Sequence, residues 1–267
     1  MTRQHMVAWF ENQDGAATLQ PLAAIAETLS PLFQRDSSGD FYRVPGELPG
    51  VAFVFAGIDA TVQPRCRIVA PSLRDTYKRS AIEVPKLSST VEPGSPPVVN
   101  DFRREPIRLR PGELVGYETV NNPAAATDQF IVTQFCDGPV QAVDPKGGFW
   151  IRTVTAAAAM NANDWNNRAL TPDESLLEGV YDVLAAFPIS TSGIAMRLAF
   201  AGQTHRPGVL CYDTRTDVAH AMFEPGQLGV LGRFSTQVMP TADFLVDAAD
   251  NEVQIVDLYV RPVNTKV

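Results

Sequence analysis

The sequence predicts an all-β protein of two tandem antiparallel β-sandwiches, preceded by a short N-terminal helix. Three observations carry this. Apolar residues alternate with small or charged ones over short runs, as where Ile194, Met196, Leu198 and Phe200 interleave with Ala195, Arg197, Ala199 and Ala201. A period of two belongs to a strand. The 21 prolines and 18 glycines are spread along the chain, as expected when many short strands need many turns. A β unit also occurs twice. Gly50 opens an apolar run, a turn with Pro64 and a strand carrying Arg67 beside Ile68; Gly179 opens an apolar run, a turn with Pro188, Ser190, Ser192 and Gly193, and a strand carrying Arg197 beside Leu198. A further apolar run then closes each copy, on Pro139-Val140 in the first and Pro262-Val263 in the second. Near-constant spacing between such pairs is what a tandem module with altered loop lengths leaves behind.

Taken in order, residues 1–40 form an N-terminal arm. After an apolar run over 6–10, Pro21 suits a first helical turn, Leu22, Ile25 and Leu29 share one face, and Pro31 stops the helix. The helix is expected to pack against its own sheet or a neighbouring subunit, with a membrane surface as the alternative, and the segment 6–29 to order only on assembly, reaching toward the inner surface or an adjacent subunit. The first sandwich spans 41–143, with strands over 51–58, 65–70, 81–84, 107–109, 114–120 and 129–135, and a projecting proline-rich loop over 88–100. Residues 144–148, holding Pro145, Gly147 and Gly148, form the linker. The second sandwich, 149–267, has strands over 149–155, 180–187, 194–201, 208–212, 228–235, 242–246 and 252–260. It includes a short helix over 171–178, where Thr171 and Glu174 have capping-box spacing and Pro172 takes the first helical position. Alternation turns Leu198 and Phe200 into the core and Arg197 outward.

Composition narrows the function. Charged residues are only 19% of 267 while apolar ones reach 45%, which suits a protein whose surface is covered by neighbours. The net charge of −8 argues against wrapping nucleic acid or reading its sequence, since phosphate binding needs a basic surface. No run approaches the roughly 18 apolar residues of a membrane span, and the N-terminal apolar run is too short for a signal peptide. Synthesis in the cytoplasm is therefore expected. Cys66, Cys136 and Cys211 are odd in number and sit in or beside strand runs, so buried thiols are expected rather than a disulfide framework or metal site.

Catalytic constellations are scarce, and the reading is not an enzyme. His5, His205 and His220 form no closely spaced pair, against the clustered histidines of metal-binding cupins. Ser190-Thr-Ser-Gly193 is a turn and not a nucleophile elbow, and no phosphate-binding or dinucleotide glycine loop occurs. No cofactor is implied. Asp247, Asp250 and Glu252, with Asp243, are weak calcium candidates without the spacing of a regular calcium loop. Arg103, Arg104, Arg108 and Arg110 form one basic cluster, read as a subunit contact or solvated face, or as a face toward lipid headgroups or genome. The alternative is a carbohydrate-binding or carbohydrate-active double sandwich, with Trp150, Trp165, Tyr181 and Asp182 as stacking and polar candidates.

On the paired units 51–70 with 130–140 and 180–200 with 253–263, together with the N-terminal helix, the chain resembles the double jelly-roll major capsid proteins of icosahedral phages. The resemblance is particularly to the compact forms in the corticovirus and finnlakevirus-like groups. The resemblance covers nearly the whole chain at the level of architecture, with no diagnostic motif. It implies two eight-stranded jelly rolls per chain and a homotrimer of hexagonal outline that tiles a shell with neighbouring trimers. It also implies residence in the virion, with an internal membrane or minor capsid proteins as further partners.

Overall fold

The computed structural model describes residues 1–13, 18–58, 65–84, 99–120, 127–212 and 223–263. The protein is all-β, with antiparallel sheets. It divides into two compact units between Pro139 and Val140, slightly ahead of the expected linker, with the first four residues counted with the second unit. We call the units the N-module and the C-module.

The N-module contains β1 (Gln4–Gln13), β2 (Gln20–Pro21), β3 (Ala23–Ala24), β4 (Gln34–Arg35), β5 (Tyr42–Arg43), β6 (Gly50–Ile58), β7 (Arg65–Val69), α1 (Ser72–Tyr77), β8 (Ala81–Val84), β9 (Val99–Asp101), β10 (Ile107–Arg108), β11 (Leu114–Val120) and β12 (Thr127–Cys136). One sheet runs β10-β6-β12-β1-β3, with β9 also on β6, and the other runs β4-β5-β11-β7-β8, with β2 also on β11. The C-module contains β13 (Phe149–Val154), β14 (Trp165–Ala169), β15 (Thr171–Pro172), β16 (Val180–Ile189), β17 (Gly193–Ala199), β18 (Gly208–Leu210), β19 (Gly232–Ser235), β20 (Thr241–Val246) and β21 (Ile255–Pro262). Its sheets run β15-β13-β21-β16-β19 and β14-β20-β17-β18.

The two modules share one strand order. Leave aside the short β15 and count the C-module strands from first to eighth: one sheet is first, eighth, third, sixth, and the other is second, seventh, fourth, fifth. The N-module repeats this with β1, β12 and β6 followed by the β9 and β10 edge, and with the β2 and β5 edge followed by β11, β7 and β8. Its second and sixth positions are thus each shared by two short strands. The duplicated arginine is part of the pattern. Arg67 on β7 lies opposite Glu118 on β11, and Arg197 on β17 lies opposite Asp243 on β20, so both fourth strands form an ion pair to the seventh.

Each module builds its own core from alternating positions. On β21, Val256, Leu258 and Val260 are fully buried, while Asp257 and Arg261 on the other face pair with Arg152 and Asp182 of neighbouring strands. In the N-module the fully buried Trp9 of β1 meets Tyr42 and Tyr117 edge-on, at centroid distances of 4.9 and 4.7 Å. Leu198 and Phe200 are buried as expected. The Phe200 ring lies against the backbone of Gly232, where an added Cβ would meet it at 2.2 Å, so a residue without a side chain is required at that crossing.

Several expectations are corrected. The N-terminal helix is absent, and 1–40 is not a separate arm. β1 sits in a sheet of the N-module, and His5 is buried. Over 21–25 the backbone donors of Leu22, Ala24 and Ile25 go to the carbonyls of Tyr117, Gly39 and Ala8. Tertiary pairing wins over a short helical pattern because a helix this small is marginal alone. The capping-box helix over 171–178 is absent as well, since Thr171 and Pro172 pair with Val154 and Thr153. The described helix, α1, was not foreseen. Its first-turn donors are met from outside, as Glu113 accepts the Ser72 N–H (2.8 Å) and Oγ–H (2.5 Å). Of the expected proline-rich loop, 88–98 lies outside the described residues, and Val99 and Asn100 belong to β9.

Arg197 is also corrected: it is completely buried. Its Nε donates to Asp243 Oδ2 at 2.9 Å, Arg206 donates to the same oxygen, and Asn167 Nδ2 donates to Asp243 Oδ1 at 2.6 Å. The guanidinium carbon stands 4.2 Å from the Trp165 ring centroid, a cation–π contact that burial strengthens. Alternation assigned the correct face of β17, but that face is not in water.

The three cysteines are free and buried. Burial pushes the Cys136 thiol up to about 12 and raises Cys211 well above its usual value. The thiolate is the reactive form, so a thiol titration at neutral pH will find no fast-reacting cysteine in the folded protein and 3 after denaturation. A fast thiol before denaturation would contradict this packing.

Candidate functional site

The arginine run of the N-module forms a surface together with α1. The Arg108 N–H donates to Tyr77 Oη at 3.1 Å, and Arg110 Nη2 donates to Asp75 Oδ2 at 2.7 Å, which fastens the 101–110 segment to the helix. The four arginines then separate in role. Arg103 folds back on Asp101 at 2.8–2.9 Å. Partial burial pushes the Asp101 carboxyl up, but the Arg103 hydrogen bonds and charge outweigh it and hold the group below its ordinary value. Arg110 is taken by Asp75. Arg104 and Arg108 are exposed and have no ion-pair partner among the described residues, and the same holds for Arg74, Lys78 and Arg79 at and after α1. Arg79 lines a groove of about 490 Å³ together with Tyr77, Ile82, Glu83, Phe102, Glu105 and Ile107. Sequence reasoning found Arg103 to Arg110 but missed the contribution of α1. The signal was the basic cluster Arg74, Lys78 and Arg79, which only the fold brings beside the arginine run.

The C-module has a groove of opposite character. About 550 Å³ in volume, it follows β13 along the part of the strand that β15 does not reach. Phe149 and Trp150 line it at 42% and 48% exposure, and Leu177 beside them is 85% exposed. Trp150 leans edge-on against Tyr259 at 5.2 Å. The Tyr181 hydroxyl donates to the Leu177 carbonyl at 2.9 Å, fixing the loop after β15. Arg152 and Asp257 close one wall as a two-pronged pair at 2.9 and 3.1 Å. Asp173 and Glu174 on the rim are exposed and, among the described residues, without an ion-pair partner.

Of the sugar-stacking candidates, the structure brings Trp150 and Tyr181 together in this groove. Trp165 is buried under Arg197. Asp182 is held between Arg233 at 2.7 Å and Arg261 at 3.3 Å, where its lone pairs serve the sheet.

The calcium candidates do not converge. Ser190 Oγ–H and the Thr191 N–H and Oγ–H donate to the Glu252 carboxylate, Asp250 accepts the Asn251 N–H at 2.5 Å, and Asp247 donates its N–H to the Ser192 carbonyl at 3.1 Å. Among the described residues no three His, Cys, Asp or Glu side chains come together as a metal site. His5 stacks on Phe33 at 5.2 Å, with Nε2 3.7 Å from the buried Glu27 carboxylate. His220 lies outside the described residues.

Comparison with known proteins gives no significant match: no family model, no curated protein and no solved structure.

Proposed function

We propose that the chain is a structural protein, the major capsid protein of an icosahedral virus, whose two modules are jelly rolls and whose trimers tile the shell. The observation that carries this reading is the strand order. Both modules have sheets ordered first-eighth-third-sixth and second-seventh-fourth-fifth, which supports reading each as a jelly roll, the double Greek-key fold used by capsid proteins, lectins and cupins. Fold alone does not choose among these functions. Assembly is favoured by the surface: an uncovered strand edge with Phe149 and Trp150 exposed beside Leu177, and a low charged fraction of 19%. A duplicated module also lets three chains occupy a six-fold position, which only heterologous contacts between unlike faces can build.

Purified full-length protein is expected to form trimers and, at higher concentration, shells or sheets visible by electron microscopy. A protein that remains monomeric over the whole concentration range in sedimentation would sink this reading.

The 550 Å³ groove with exposed Trp150 favours a second reading, glycan binding, because sugars stack on such rings. Saturable quenching or shifting of tryptophan emission by glycans, abolished by Trp150→Ala, in a chain that stays monomeric would decide for it.

A further inference from the structure

We propose that the loop between β15 and β16 of one copy docks into the groove between α1 and the 101–107 segment of another, joining the C-module of each chain to the N-module of the next. This rests on the assembly reading above and names the surfaces that would perform it.

One surface offers an exposed apolar side chain among acidic residues, the other an apolar groove beside unpaired arginines. Leu177, at 85% exposure, is the most exposed large apolar side chain among the described residues. A single exposed leucine is ordinary; here it projects from a loop whose other exposed side chains include Asp173, Glu174 and Glu178. The groove on the N-module has an apolar floor of Ile82, Phe102 and Ile107, and its charged lining residues are Arg79, Glu105 and Glu83, the last paired with Arg65; Arg104 and Arg108 adjoin the lining in sequence, and Arg79, Arg104 and Arg108 carry no ion-pair partner among the described residues. An apolar knob flanked by carboxylates meets an apolar hole whose wall holds Arg79, Glu83 and Glu105, with the exposed Arg104 and Arg108 next to its lining residues in sequence. Burying the knob removes Leu177 from water, and these charges fix the register and reject other pairings.

Charge complementarity selects a second copy as occupant, because the acidic counterpart of this local basic surface lies on the same chain, whose net charge is −8. The contact joins unlike faces, so it closes into a ring or continues as a lattice according to its rotation. A polyanion such as nucleic acid or an anionic bilayer would use the same cations. It would gain nothing from the apolar floor.

Charge reversal on the full chain tests this, read by sedimentation velocity at graded protein concentration. Arg104→Glu with Arg108→Glu, and separately Asp173→Arg with Glu174→Arg, will each weaken self-association by about tenfold or more, with circular dichroism unchanged because all four side chains are exposed. Combining the two reversals will restore association to within about threefold of the parent, a coupling that a folding defect would not produce. Reversals that leave an assembling protein indifferent overturn the docking and leave the assembly reading standing, whereas a parent that never associates overturns both. Retained assembly, with binding to anionic phosphatidylglycerol vesicles or single-stranded DNA that Arg104→Glu with Arg108→Glu abolishes, assigns the surface to a polyanion and rejects the docking.

Discussion

Asp243→Ala will destabilise the C-module by about 3–5 kcal/mol, the usual cost of breaking a buried ion pair by removing one partner. Asp243 is completely buried and carries Arg197, Arg206 and Asn167 on its two oxygens. Without it, the Arg197 guanidinium, itself fully buried, keeps the Trp165 face but loses the Asp243 charge, and Arg206 adds like-charge repulsion. A melting temperature lower by about ten degrees or more is expected. Replacing both partners by apolar residues, Arg197→Met with Asp243→Leu, should recover much of that loss, because the desolvation of two charges is removed with their attraction. An Asp243→Ala protein that melts within about a degree of the parent would show that the pair is not sealed from water.

Trp9→Ala will cost the N-module about 3–5 kcal/mol, the range for emptying a buried aromatic site. Trp9 is fully buried between the edges of Tyr42 and Tyr117, and its indole N–H donates to the Asp40 carbonyl at 3.0 Å. Trp9→Phe should cost less, since it keeps most of the apolar contact and loses only that hydrogen bond. The other tryptophans, Trp150 and Trp165, both lie in the C-module, so the emission of a Trp150→Phe/Trp165→Phe background follows the N-module alone. The same measurement tests the position of β1. If the first thirteen residues were a dispensable arm, Trp9→Ala would leave the N-module transition unmoved.

The strands were legible where alternation is strong and the run long enough to show it. The strands expected over 51–58 and 114–120 coincide closely with β6 and β11, and those over 180–187 and 242–246 with most of β16 and β20. Strand identity failed at 21–25, because spacing three from Leu22 to Ile25 satisfies a helical template, while the partners that make it a strand, Tyr117 and Ala8, lie far off in sequence. Thr171 and Pro172 failed for the same reason, since their partners on β13 outrank a local capping pattern. Burial of Arg197 was illegible, because alternation assigns a face and cannot say what lies beyond it. In the candidate surfaces the arginine run was plain in the sequence. The acidic loop around Leu177 and the cations of α1 acquire meaning only through exposure, which follows from tertiary placement.

The strand order has a consequence for biosynthesis. In each module the eighth strand, β12 or β21, lies between the first and the third. The strand that joins the sheet is therefore the last of its module to leave the ribosome. Until Cys136 has emerged, β1 and β6 each present an unpaired edge, and β13 and β16 wait in the same way for β21. Such pairings are slow to close, because they join residues distant in sequence. Open edges meanwhile invite pairing with other nascent chains. Nascent chains on one polysome carry the same waiting edges at high local concentration. The first module precedes the second in the chain and can seal its own edge while the second is still being made.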